Sequence, residues 1–154
     1  MAARGEGLGR VFNVIHQASG LDVPLTRASA VSFVSFLDAG TQTLTFTQTD
    51  SRGVNSEIDL DIFSQSPDNL GSRVHAGPGV GGTWVEKDDG SDTNAFNLTT
   101  DATNDTLVIT VRAEQLADGY DQVQCTAGTG TCIAIIHDLV EQRKPGNLRS
   151  SLVA

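Results

Sequence analysis

Short runs of period-two or continuous hydrophobicity, each closed by glycine, proline or aspartate, recur along this 154-residue chain, and no stretch carries a sustained helical repeat. That pattern restricts the chain to all-β architectures. Residues 30–37 are almost continuously apolar, with Phe33, Val34 and Phe36, which reads as a strand covered on both faces. After the Ala39-Gly40 turn, residues 41–49 set Leu44 and Phe46 against a row of threonines, the alternation of a half-buried strand. Residues 50–53 turn again. In 54–63, Val54, Ile58, Leu60 and Ile62 alternate with Asn55, Glu57, Asp59 and Asp61. The three segments together read as a meander joined by short turns.

Weaker signals fill the remainder. Residues 11–15 read as a strand or anchor, and 22–25, broken by Pro24, as an edge or a linker. Residues 64–82 read as a long loop with two prolines and a glycine cluster, a common form of contact surface. Residues 83–86 and 95–98 are short strand candidates around a polar tip, 107–112 is another strand, and 113–119 offers one helical turn. Residues 123–125 are expected to pair with 132–137 through the turn between Cys125 and Cys132. About eight strands at this spacing predict a single β-sandwich or jelly-roll-like body. An immunoglobulin domain is disfavoured, because Tyr120 lies five residues before Cys125 and Trp84 is not placed between paired cysteines.

Charge divides the chain into three. Residues 28–138 hold four basic and sixteen acidic residues, while the two end segments hold the other six basic residues against three acids, and the total is −9. This predicts an N-terminal arm with a first short strand over 1–27, a body over 28–138 and a C-terminal arm over 139–154. A chain of this size can bury roughly 70% of the surface its unfolded form exposes, enough for one core. The acidic body repels phosphate backbones, so no nucleic-acid partner is expected. No run approaches the ~18 apolar residues of a membrane span, so no membrane partner is expected either. Residues 1–9 lack a signal peptide's apolar stretch, which predicts synthesis in a cytoplasm. There a reducing environment favours free thiols at Cys125 and Cys132, although a bridge can form outside the cell.

Candidate chemistry meets a simpler reading at each place. Glu57, Asp59 and Asp61 project from a strand whose other face is apolar, so they read as a solvated row. Asp88, Asp89, Ser91, Asp92 and Asn94 crowd oxygens around Gly90, but the spacing is not that of a calcium loop. Gly77, Gly79 and Gly82 fit a glycine-rich phosphate motif only formally, because Pro78 removes a backbone N–H and no strand-then-helix context follows. His16, His75 and His137 stand in no recognisable nucleophile motif. The two cysteines and His137 fall short of the four ligands of a zinc site. No cofactor, no metal and no enzymatic activity are therefore expected. Trp84 can stack on a sugar, cap a core or fill an interface.

Four stretches carry a family resemblance: Leu21-Asp22-Val23-Pro24-Leu25-Thr26, Gly77-Pro78-Gly79-Val80-Gly81-Gly82-Thr83-Trp84, residues 101–119, and Ile135-Ile136-His137-Asp138-Leu139 with Gln142-Arg143-Lys144-Pro145-Gly146-Asn147-Leu148. Together they resemble small virion structural proteins of tailed bacteriophages infecting actinobacteria. The resemblance implies a homo-oligomeric protein that decorates or cements the capsid and has the major capsid protein as its partner. It carries no catalytic signature. The expected partner-binding residues lie in the arms: Arg4, Arg10, Arg143, Lys144 and Arg149 for acidic surfaces, and Leu148 and Leu152 for apolar grooves. A tail or head-tail connector component and a carbohydrate-binding β-sandwich module using Trp84 are the alternatives.

Overall fold

The computed structural model describes residues 12–37, 40–62, 74–77, 83–87, 94–100 and 105–139. Among the described residues eleven strands run in chain order: β1 (Phe12–Ile15), β2 (Asp22–Pro24), β3 (Ala28–Phe36), β4 (Gly40–Thr49), β5 (Ile58–Asp59), β6 (Val74–Gly77), β7 (Val85–Lys87), β8 (Ala95–Thr100), β9 (Thr106–Arg112), β10 (Gln122–Ala127) and β11 (Thr131–Leu139). The helical turn expected near 113 is a single 3-10 turn at Ala113–Gln115. Two sheets form, one ordered β1-β11-β3-β9-β6-β7 and the other β2-β10-β4-β5, with β8 also on β4, and every strand pairing is antiparallel. The protein is an all-β sandwich.

The core follows from period two. In β3, Val31, Phe33 and Ser35 point inward, and in β4 Gln42, Leu44, Phe46 and Gln48 do so. Phe33 meets Phe46 from the opposite sheet edge to face, with ring centroids 5.7 Å apart and planes at 67°. Leu107, Ile109 and Val111 of β9 and Ala134 and Ile136 of β11 complete the six-stranded layer's contribution.

Several expected connections are corrected. β3 and β4 are consecutive but belong to different sheets, so the chain crosses the sandwich between Phe36 and Gly40 instead of folding back as a meander. β10 and β11 likewise cross, and the expected pairing of 123–125 with 132–137 does not form. Both strands are apolar on their inward side and each finds a closer partner, β4 for β10 and β3 for β11. β7 pairs with β6, and β8 with β4, so these two are not a hairpin. β6 lies inside the segment read as a loop. Its four residues lack a pattern of their own and become a strand through the ladder to β9. The alternation of 54–63 holds only at its end: Leu60 and Ile62 are buried, whereas Val54 is 75% and Ile58 42% exposed. Only Ile58–Asp59 pairs there, because the preceding turn is pinned outward by Asp50, which accepts hydrogen bonds from the backbone N–H of Arg52 at 2.9 Å and of Val54 at 3.2 Å.

The segments before residue 28 are built into both sheets. β1 pairs with β11, and β2 with β10, with Pro24 on the outermost strand as its missing N–H requires.

Candidate docking face

Each sheet turns one face outward, and the two outward faces differ in chemistry. On the five-stranded sheet the outward side chains are Thr41, Thr43, Thr45, Thr47 and Thr49 of β4 with Gln122, Gln124 and Thr126 of β10. They bond to one another and to neighbours on the same face: Thr43 to Asn97 at 2.6 Å, Thr49 to Asp22 at 3.1 Å and to Gln122 at 3.2 Å, and Gln124 to Asp22 at 3.3 Å. Apart from Thr47, whose hydroxyl is buried without a partner, this polar face suits contact with water.

The six-stranded sheet is different. Register sets Val14, Ile135, Ser32 and Thr110 in one outward row, Ile133, Val34, Val108 and His75 in the next, and Phe36, Thr106 and Gly77 in a third. Val14 is 49% exposed and Phe36 39%. Trp84 lies at the far end of the third row, 47% exposed, with its indole directly over Gly77. The register places Glu86 of β7 opposite His75 at the edge of this face, while the outward rows through β1, β11, β3 and β9 carry no carboxylate. An apolar sheet centre free of acids is what an interface core requires.

The polar groups set into this face bond across strands. Ser32 Oγ lies 2.8 Å from Thr110 Oγ1 and 3.0 Å from His137 Nε2. A serine within reach of a histidine is half of a nucleophile site, and the sequence placed these two 105 positions apart. The setting does not complete it: Ser32 is in mid-strand, paired with Ile135 on one side and Thr110 on the other, so the surrounding amides serve the ladders and supply no oxyanion donors. The arrangement satisfies hydroxyls on a surface that can be covered without stranding them.

The remaining candidates lie apart. Glu57, Asp59 and Asp61 are exposed, and so are His16 and His75. Among the described residues no three of His, Cys, Asp or Glu are grouped as a metal site would need. Asn94 donates to the Phe46 carbonyl at 3.1 Å, which fixes the strand start, while 88–93 lie outside the described residues, as do Gly79 and Gly82. Arg4, Arg10, Arg143, Lys144, Leu148, Arg149 and Leu152 all lie outside the described residues. Among the described residues no helix is long and apolar enough to cross a membrane. Sequence reasoning missed this apolar outer face, although its signal was present: the continuous apolarity of 30–37 and 133–136 asks for cover on both sides, and one sandwich provides it on one.

No family model, curated protein or solved structure matches the chain.

Proposed function

We propose that this chain is a virion structural protein that decorates or cements a bacteriophage capsid, setting the outer face of its six-stranded sheet against the major capsid protein and reaching neighbouring copies with its terminal segments. The observation that carries the reading is the contrast between the threonine-rich outer face of one sheet and the apolar centre of the other's outer face, where β11, β3 and β9 bring Ile133, Ile135, Val34, Phe36 and Val108 together. An enzyme has no need of such a surface; a docking module does. The resemblance noted in the sequence gives the partner.

Magnitude supports a shared attachment. Six strands spaced about 4.8 Å apart and seven residues rising about 3.4 Å each make a face of about 600 Å². A stable pairwise interface takes about 800 Å² from each partner, so the face alone gives weak binding that further contacts and high copy number reinforce. Residues 1–11 and 140–154, with six of the ten basic residues between them and 12–27, are suited to those further contacts on acidic surfaces.

The test is binding to capsids stripped of the protein, measured by sedimentation with shell heat stability, for the full chain, the chain lacking residues 140–154, and Val34→Asp. The expected result is saturable binding of the full chain that stabilises the shell and is weakened at least tenfold by either change. Equal binding of all three would reject the reading. Assembly into rings in place of shell binding would indicate a tail or head-tail connector component.

A second reading rests on Trp84, whose half-exposed indole lies flat enough over Gly77 to leave one face for a ligand. A carbohydrate-binding module would use that face to stack a pyranose ring, and Trp84→Ala would then abolish glycan retention while leaving particle attachment intact.

A further inference from the structure

Cys125 and Cys132 are both buried, Cys125 on β10 of the five-stranded sheet and Cys132 on β11 of the six-stranded sheet. Sheets in a sandwich stand about 10 Å apart, too far for most pairs of facing cysteines to be bridged. Here one short piece of chain draws the two strands together. Ala18 N–H donates to the Cys132 carbonyl at 2.8 Å and Gly20 N–H to the Cys125 carbonyl at 2.9 Å, with Ser19 forming a parallel bridge to Cys125. Residues 18 and 20 are separated by no more than about 7 Å of extended chain, so both cysteine backbones hang from one clamp. Both side chains are buried on the inward sides of their strands, between the two sheets.

We infer that Cys125 and Cys132 are a latent inter-sheet disulfide, a modification site that closes by exchange with a low-molecular-weight disulfide such as oxidised glutathione. The inference is independent of the capsid reading. The neighbouring Cys132 thiol and burial raise the Cys125 pKa well above the ordinary thiol value. Cys132 is the second residue of β11, beside the exposed turn 128–131, so it is the thiol that an incoming disulfide reaches first and the attacking thiolate. It bonds to one glutathione sulfur, the glutathione disulfide breaks and one glutathione thiolate leaves. Cys125 then gives up its proton to solvent and attacks the Cys132 sulfur, expelling the second glutathione thiolate. Two protein thiols are oxidised and one glutathione disulfide is reduced to two thiols. Because both sulfurs are covered, exchange proceeds through opening of the 18–20 clamp, and the bond, once made, is shielded from reductant by the same clamp.

The experiment incubates the full chain in glutathione buffers of increasing oxidised fraction, followed by acid quench, thiol alkylation and intact mass, with a parallel sample refolded from urea in the same buffers. The expected result is loss of both thiols together, with a mass decrease of two hydrogens and no adduct, in a species that remains monomeric by covalent linkage. Its thermal midpoint should rise by roughly 5 °C and fall back on reduction. Cys125→Ser should instead accumulate a glutathione adduct on Cys132. Two free thiols after refolding in oxidising buffer, closure only between chains, or closure that lowers the thermal midpoint would each overturn the inference.

Discussion

The indole of Trp84 occupies the space where a side chain at Gly77 would stand: a β-carbon there would come to 2.6 Å from the Trp84 ring. The two residues face each other where β7 leaves the edge of the six-stranded sheet, and the fit holds the chain's single tryptophan at one end of the proposed docking face. Gly77→Ala should push the indole outward at a cost of about 1–3 kcal/mol, as other forced contacts do. Tryptophan emission should shift to longer wavelength and become more accessible to iodide, whereas Trp84→Ala, which removes a half-exposed ring, should cost less.

Ile135→Asp and Thr45→Asp place the same charge on the two outward faces. Neither reaches the core, so each should change folding stability by less than about 1 kcal/mol in urea titrations. Their effects on association should separate. Ile135→Asp should weaken particle binding at least tenfold, about 1.4 kcal/mol, and Thr45→Asp should leave it unchanged.

Gly130 sits at φ 82°, and a β-carbon on it would fall inside contact distance of the Phe36 carbonyl oxygen. Both the left-handed backbone and the close approach demand glycine where the chain passes from β10 to β11. Gly130→Ala should destabilise by at least about 2 kcal/mol, more than any exposed substitution in the same turn, measured as a fall in the urea midpoint with unchanged slope.

Asp50 links pH to stability. The Arg52 backbone N–H, the Arg52 side chain and the Val54 N–H hold its carboxyl below the ordinary value despite its burial. The folded pKa is depressed, so the charged form is favoured by folding, and the contribution is complete above the unfolded value of about 4 and lost as pH falls below it through the folded value. Thermal midpoints of the wild type and Asp50→Asn should therefore differ most near neutrality and converge as pH falls through the depressed folded value.

Gln42 is buried in the core with its amide N–H donating to Ser35 Oγ, while its Oε1 has no hydrogen-bond partner. Ser35 retains the Thr131 carbonyl as its own acceptor at 3.4 Å. Gln42→Met, of similar length, removes the stranded oxygen and should be neutral or stabilising by about 1 kcal/mol, while Gln42→Ala should destabilise by leaving a cavity.

Local pattern alone determined a good part of this protein. The threonine alternation of β4 named Leu44 and Phe46 among its buried residues, the long apolar run marked β3 as a core strand, and Pro24 restricted 22–25 to an edge or a linker, because period two and a missing N–H are properties of the chain that do not depend on its neighbours. Which strands pair was decided only in three dimensions. The connections from β3 to β4 and from β10 to β11 carry the chain between sheets instead of back along one, since each strand's inward apolar row is buried better opposite a distant partner than beside its sequence neighbour. That choice put Cys125 and Cys132 on facing sheets, turned Val74–Gly77 from loop into strand, and left Val14, Val34, Phe36, Val108 and Ile135 together on a face that the sandwich itself does not cover. A face assembled from four strands has no signature in any one of them; it exists only once register has set their outward residues side by side.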